Sequence, residues 1–236
     1  MPNPASLSPT IRVVPGEVEA GSATTRVVLP TATLPRWLPF VRVAESIAGR
    51  RRPFPAHSHE RQEVLSWLLE GFATYQVGTD TPEALGAGEA RLLTAGGKVA
   101  HRIAPAKGSP IRWFTLVLDL PSTGPAEAPV LQRVVVVPTL PEAREVVVQP
   151  LVGAGSGIRS AAGLDCLALS SPGGGAVFSR VGHGRRGILY LLAGRGTVDG
   201  RAVEAGEAAL IEGAAGIGIH CGPGFRGVMA TATAPP

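Results

Sequence analysis

Apolar positions in this chain come in short blocks, and turn residues separate the blocks. Val64-Leu65-Ser66-Trp67-Leu68-Leu69, Arg112-Trp113-Phe114-Thr115-Leu116-Val117-Leu118 and Gly187-Ile188-Leu189-Tyr190-Leu191-Leu192 are rich in strand formers and too short for buried helices. Turn signals stand between such blocks at Glu70-Gly71, Gly86-Ala87-Gly88, Ala95-Gly96-Gly97, Ala193-Gly194 and Ala205-Gly206. Asp199-Gly200, between Thr197-Val198 and Arg201-Ala202-Val203, predicts a two-residue hairpin. Many short strands with regular turns predict an all-β sandwich or barrel. Strong amphipathic helix patterns are scarce.

The pattern repeats. Trp67-Leu68-Leu69-Glu70-Gly71 is similar to Tyr190-Leu191-Leu192-Ala193-Gly194. Downstream, Ala87-Gly88-Glu89-Ala90-Arg91-Leu92-Leu93 is similar to Ala205-Gly206-Glu207-Ala208-Ala209-Leu210-Ile211. Two copies of one β-module therefore fill most of the chain. The stretch Leu120–Pro141 carries five prolines and reads as the linker. The expected domains are residues 1–128 and 129–236, packed together.

Composition narrows the class. The chain has 236 residues, 44% apolar and 17% charged, with 31 glycines and 22 prolines, which excludes disorder as its main state. No apolar run approaches the ~18–20 residues of a membrane helix, and Met1–Ser6 has no secretory pattern. The two cysteines, Cys166 and Cys221, support neither a disulfide framework nor a thiolate zinc site. The expected setting is the reduced cytoplasm. The net charge of +4 is carried almost wholly by arginine, with one dense cluster at Arg50-Arg51-Arg52. That cluster lacks aromatic stacking partners, so no direct nucleic-acid partner is expected, and no membrane partner.

The local chemistry concentrates at His57-Ser58-His59, with Glu63 following and His101 further on. Histidines at i and i+2 of a strand share a face, and Glu63 keeps the same parity. Neutral imidazoles with a carboxylate suit a first-row transition metal. An H-x-H-x3-E motif, a glycine-bounded hairpin and a later single histidine is the layout of a cupin barrel. Counting back from Gly194 as from Gly71, the second module has Arg180, Gly182 and Arg186 at the positions of His57, His59 and Glu63. His183 and His220 stand without a carboxylate, so no metal is expected in that module. Gly153–Gly157 lacks the lysine of a phosphate loop and reads as a turn. Trp67 and Trp113 read as core, with lining of an aromatic pocket the alternative. Both cysteines read as buried thiols.

At these residues the chain resembles the pirins, a family of two-cupin proteins. Phe54-Pro55-Ala56-His57-Ser58-His59 is similar to the family's F-P-P-H-x-H run, and Glu63–Gly71 to its E-T-V-T-Y-V-L-E-G run. Thr94–His101 is similar to T-A-G-R-G-I-V-H, and Leu38-Pro39-Phe40-Val41 to G-P-F-V. The resemblance is specific over about residues 38–120 and is mostly one of pattern over 160–236. It implies two tandem jelly-roll-like cupin domains and one divalent transition metal in the first, usually iron, with manganese, nickel, copper or zinc as alternatives. The implied ligands are His57, His59 and His101. The family's fourth ligand is a glutamate, and this chain has Ile103 there. Three readings follow: a three-histidine site, a site completed by Glu63, or a metal-free remnant.

Two functions follow from the resemblance. One is a dioxygenase acting on a small aromatic, flavonol-like substrate of the quercetin type, with Glu63 as catalytic base or metal ligand. The other is a metal- or redox-responsive regulator that binds a protein partner. The oligomeric state is left open.

Overall fold

The computed structural model describes residues 9–20, 23–49, 54–106, 110–121, 128–136, 145–213 and 215–235; the Arg50–Arg52 cluster and parts of the Leu120–Pro141 segment lie outside them. Every helical or strand element among the described residues is a strand. The first is β1 (Thr10–Pro15), followed by β2 (Glu17–Ala20), β3 (Thr24–Leu29), β4 (Phe40–Ala48), β5 (His57–His59) and β6 (Gln62–Glu70). Then come β7 (Phe72–Val77), β8 (Glu83–Gly86), β9 (Glu89–Ala95), β10 (Val99–Pro105), β11 (Ile111–Asp119) and β12 (Val130–Val135). The later part holds β13 (Val147–Val152), β14 (Asp165–Ser171), β15 (Gly175–Val181), β16 (Arg185–Ala193) and β17 (Arg195–Val198). It ends with β18 (Arg201–Glu204), β19 (Glu207–Glu212), β20 (Ala215–Cys221) and β21 (Phe225–Thr233). The predicted hairpin at Asp199-Gly200 joins β17 to β18, with both residues at positive φ.

The contacts divide the chain into two compact units. One comprises Gly16–Pro138 with Pro150–Leu164; the other comprises Met1–Pro15, Thr139–Gln149 and Asp165–Pro236. Where the sequence reading drew one boundary after residue 128, this division interleaves. The reason is strand pairing: β1 lies antiparallel to β19, Ile11 opposite Ile211.

In the first unit, one sheet has the order β12-β9-β6-β11-β4-β3-β2 and the other β5-β10-β7-β8. In the second, the orders are β1-β19-β16-β21-β14-β13 and β15-β20-β17-β18. The two pairs of sheets match strand for strand, except that β2 at the edge of the first unit's larger sheet has no counterpart. β6 corresponds to β16, β9 to β19 and β10 to β20, so the repeat in the sequence is a repeat of topology. β1 takes in the second unit the place that β12 takes in the first.

The central strands β6 and β16 are buried along nearly their whole length, so they read as continuous apolar runs rather than as alternation. The first unit's core gathers Val64, Leu68, Tyr75, Leu85, Ile103 and Trp113. The second gathers Leu189, Leu191, Val203, Ile211, Ile219 and Phe225. The repeated glycines are needed at the turns. Gly71 has φ +85°, and a Cβ there would lie 2.5 Å from the Pro110 carbonyl oxygen. Gly194 has φ +76°, and its Cβ would lie 2.9 Å from the Gly224 carbonyl oxygen. Neither position accepts a side chain without displacing backbone.

Candidate metal centre

Three strands build the site. In β5, His57 and His59 are two residues apart and face the same side. β10 runs antiparallel to β5 and sets His101 opposite His57, while β7 pairs with the other edge of β10. The ring centroids are 4.9 Å apart for His57–His59, 4.5 Å for His57–His101 and 5.0 Å for His59–His101. One nitrogen from each ring falls within 4.8 Å of the others. Among the described residues this is the one such group of three.

The ring nitrogens show what the cluster fits. His57 Nδ1 lies 3.2 Å from the Pro55 carbonyl, which only accepts, so Nδ1 carries the proton and Nε2 presents its lone pair. The Nε2 atoms of His57 and His101 face each other at 3.1 Å. His59 Nε2 and His101 Nδ1 are buried without any partner. Buried orphan nitrogens are costly, and a cation among them removes that cost for His59. The donor set is three imidazoles, which suits a first-row transition metal.

Burial also holds the rings neutral. It lowers the pKa of His57 and of His59 below the usual 6.5, and brings that of His101 down to about 3, with the neighbouring histidines adding to the effect. Neutral rings are ready to ligate at neutral pH.

Glu63 is a correction to the sequence reading: it is not in the cluster. The expected parity fails because the strand breaks at Glu60-Arg61, where Arg61 adopts φ +53°. That turn reverses the alternation, so Val64, Ser66 and Leu68 face the core and cavity while Glu63 faces away. Glu63 is fully buried, and its carboxylate accepts four hydrogen bonds. Thr94 Oγ1 donates at 2.9 Å, Ala161 N at 2.8 Å and Ala162 N at 3.2 Å, and the Ser160 hydroxyl donates the fourth. It anchors the segment after β13 to β6, with both carboxylate oxygens taken up by these donors.

Ile103 lies two residues beyond His101 on β10, on the same face, 3% exposed. The place of the fourth ligand in the resembling family is therefore occupied by an apolar side chain against the cavity.

The cavity beside the histidines measures about 190 Å³. Trp113 and Phe54 form one wall, edge to face at 5.4 Å, and Phe54 meets His57 edge-on at 5.2 Å. Trp113 thus serves both core and lining, whereas Trp67 on the opposite parity of β6 is core alone. Ser66 Oγ, in the lining, is buried next to the Tyr75 hydroxyl, and the two interact. Arg42 stands in the lining and pairs with Glu19 at 3.0 Å.

Sequence reasoning missed Gln62 and Asp119. Gln62 Oε1 lies 2.8 Å from His59 Nδ1, and Gln62 Nε2 donates to Asp119 Oδ1 at 3.2 Å. Gln62 follows His59 by three residues, but Asp119 is 57 residues further on and no local spacing points to it.

In the second unit the strand register replaces the counted equivalents. Ser179 is opposite Ile217, and Val181 opposite Ala215, as His57 is opposite His101 and His59 opposite Val99. β20 pairs with β17 as β10 pairs with β7, which aligns Ile219 with Ile103, so the positions corresponding to His57, His59 and His101 are Ser179, Val181 and Ile217 rather than Arg180 and Gly182. Val181 and Ile217 are fully buried in that unit's core, while His183 and His220 are exposed. Gly153–Gly157 is a turn closed by Gly153 N to Ile158 O at 3.0 Å. Cys166 and Cys221 are buried, free thiols with pKa values pushed up by burial.

No family model matches the chain, and no curated protein matches it. Solved structures do. The chain is similar to GK1651 from Geobacillus kaustophilus, with TM-score 0.84 and 21% identity over 97% of this chain and 98% of that one. It is similar to the pirin YhhW in complex with nickel(II) from Escherichia coli, with TM-score 0.79 and 14% identity over 96% and 100%. It is similar to a quercetin 2,3-dioxygenase from Acinetobacter baumannii, with TM-score 0.82 and 15% identity over 94% and 86%. Likeness at these identities establishes the architecture that all of them share.

Proposed function

From the premise that the chain has the two-cupin fold of the pirins, we propose that it binds one transition metal in its first unit and carries out metal-dependent oxygenation of an aromatic substrate. The observation that carries this reading is the convergence of His57, His59 and His101 beside a cavity, with His59 Nε2 buried and unpartnered among them. The nickel in YhhW and the activity named for the Acinetobacter neighbour support it. Iron is the metal we favour, in a cytoplasmic setting where the two thiols stay reduced.

When bound, the metal supplies Lewis acidity and a redox-active centre for O2 chemistry. The chain's own residues do the rest. The three histidines hold the metal, and Phe54 and Trp113 present aromatic faces to a substrate ring. Ser66 Oγ offers a hydrogen bond to a substrate oxygen. No carboxylate is among the described residues lining the cavity, so the substrate hydroxyl gives its proton to solvent. A cavity of about 190 Å³ is below the ~300 Å³ usual for drug-sized ligands. It seats one ring; a three-ring flavonol of the quercetin type would leave its other rings in the mouth.

That small volume also favours the second reading, a metal-responsive regulator of a protein partner. Elemental analysis of untagged protein, purified without chelator, comes first. Near one metal per chain, lost in His57→Ala/His59→Ala, establishes the site. Oxygen uptake with quercetin and with catechol then separates the readings: turnover supports the oxygenase, and bound metal without turnover of either supports the regulator. No metal after anaerobic iron loading overturns both.

A further inference from the structure

Three side chains in a line lead from the surface to the metal cluster: Asp119, Gln62 and His59. Their donors and acceptors permit one arrangement. An ionised carboxylate only accepts, so Asp119 Oδ1 takes a hydrogen bond from Gln62 Nε2 at 3.2 Å. That contact orients the amide and leaves Gln62 Oε1 toward His59, 2.8 Å from Nδ1. A carbonyl oxygen only accepts, so His59 Nδ1 must carry the ring proton. Nε2 of the neutral ring then has a lone pair, buried, without a partner, among the other two histidines. His57 reaches the same state through the Pro55 carbonyl, but His101 Nδ1 has no acceptor.

We propose that Gln62, oriented by Asp119, is a positioning residue that sets the tautomer of His59 and so makes its Nε2 available to the metal. This rests on the metal-binding reading above, yet the tautomer itself is measurable without metal. Neither residue touches the cavity beside the histidines; both line a separate recess of about 330 Å³ with Phe40 and Val41. Their effect on a substrate therefore runs through His59 alone. An outer hydrogen bond of this kind tunes metal affinity by about 10–100-fold.

The test uses the full-length protein. Ring nitrogen-15 spectra of the metal-free form report the His59 tautomer, and titration with nickel(II) or iron(II) reports affinity. The unsubstituted protein should show a single Nδ1–H tautomer. Gln62→Met, which keeps the side-chain length, should give mixed tautomers and lower metal affinity by about 10-fold or more. Gln62→Glu keeps the acceptor for His59 but sets a carboxylate against Asp119, so it is paired with Asp119→Asn, whose amide donates instead; the double variant should retain both the tautomer and affinity within about threefold. Asp119→Ala frees the amide to turn, so it should lower affinity with Gln62 present. A role in packing alone would make the Gln62→Glu/Asp119→Asn double variant as damaging as Gln62→Met; that result overturns the proposal. So does a Gln62→Met protein with unchanged tautomer and affinity. If the unsubstituted protein binds no metal, the function above fails, while the spectra still decide whether Gln62 sets the tautomer.

Discussion

At the scale of single residues, the site is a division of labour between polar groups that resemble one another in sequence. His57, His59 and His101 converge with their rings kept neutral, while Glu63 is spent on holding the chain. A buried carboxylate with four donors tolerates little change, since each hydrogen bond to a charged group contributes about 1.5–3 kcal/mol. Glu63→Gln places an amide N–H₂ among donors, so it should cost about 2–3 kcal/mol by denaturant unfolding and leave metal content near that of the unsubstituted protein. Loss of metal in a folded Glu63→Gln protein would restore the ligand role that the geometry removes. Ile103→Glu makes the opposite change. It sets a carboxylate beside His101 on the cavity face, so metal affinity should rise in titration while the metal-free protein melts earlier.

Among the strands and turns, the histidine pair was legible because period-2 alternation is local: two residues on one extended strand always share a face. Alternation does not survive a break, and Arg61 at φ +53° supplies one between β5 and β6. The repeated Gly71 and Gly194 were legible for a similar local reason, since a positive φ at a tight turn favours glycine. Gly71→Ala adds a Cβ that would sit 2.5 Å from the Pro110 oxygen. It should destabilise the protein by more than the ~1 kcal/mol of the backbone conformation alone, read as a lower midpoint in urea. The second unit's site positions were misread by counting, because the turn before β16 is one residue longer than the turn before β6 and only the strand register aligns the copies.

For the molecule as a whole, two like topologies carry unlike chemistry. The positions that hold histidine in the first unit hold Ser179, Val181 and Ile217 in the second. Metal should therefore bind at one per chain, and His183→Ala/His220→Ala should leave that stoichiometry unchanged by elemental analysis. Stability should also depend on pH through the cluster. His101 stays neutral in the folded state down to about pH 3, while in the unfolded chain it takes up a proton below about 6.5. His57 and His59 are shifted in the same direction. The unfolded state then binds more protons, so metal-free protein loses stability as pH falls from 6.5 toward 3. Thermal unfolding between pH 7 and 5 should show that slope, and His101→Gln should flatten it.

The sequence by itself determined the strands, their turns, the twofold repeat and the histidine triad, all of which follow from short-range periodicity and from the backbone needs of single residues. Tertiary structure alone decided three things. It carried β1 into the second unit's sheet, because an edge strand pairs wherever a complementary edge lies, whatever its place in the chain. It turned Glu63 away from the metal cluster, because one left-handed residue reverses a strand's faces. And it brought Asp119 to Gln62 and Gln62 to His59, because a hydrogen bond depends on distance in space and leaves no trace in spacing along the chain.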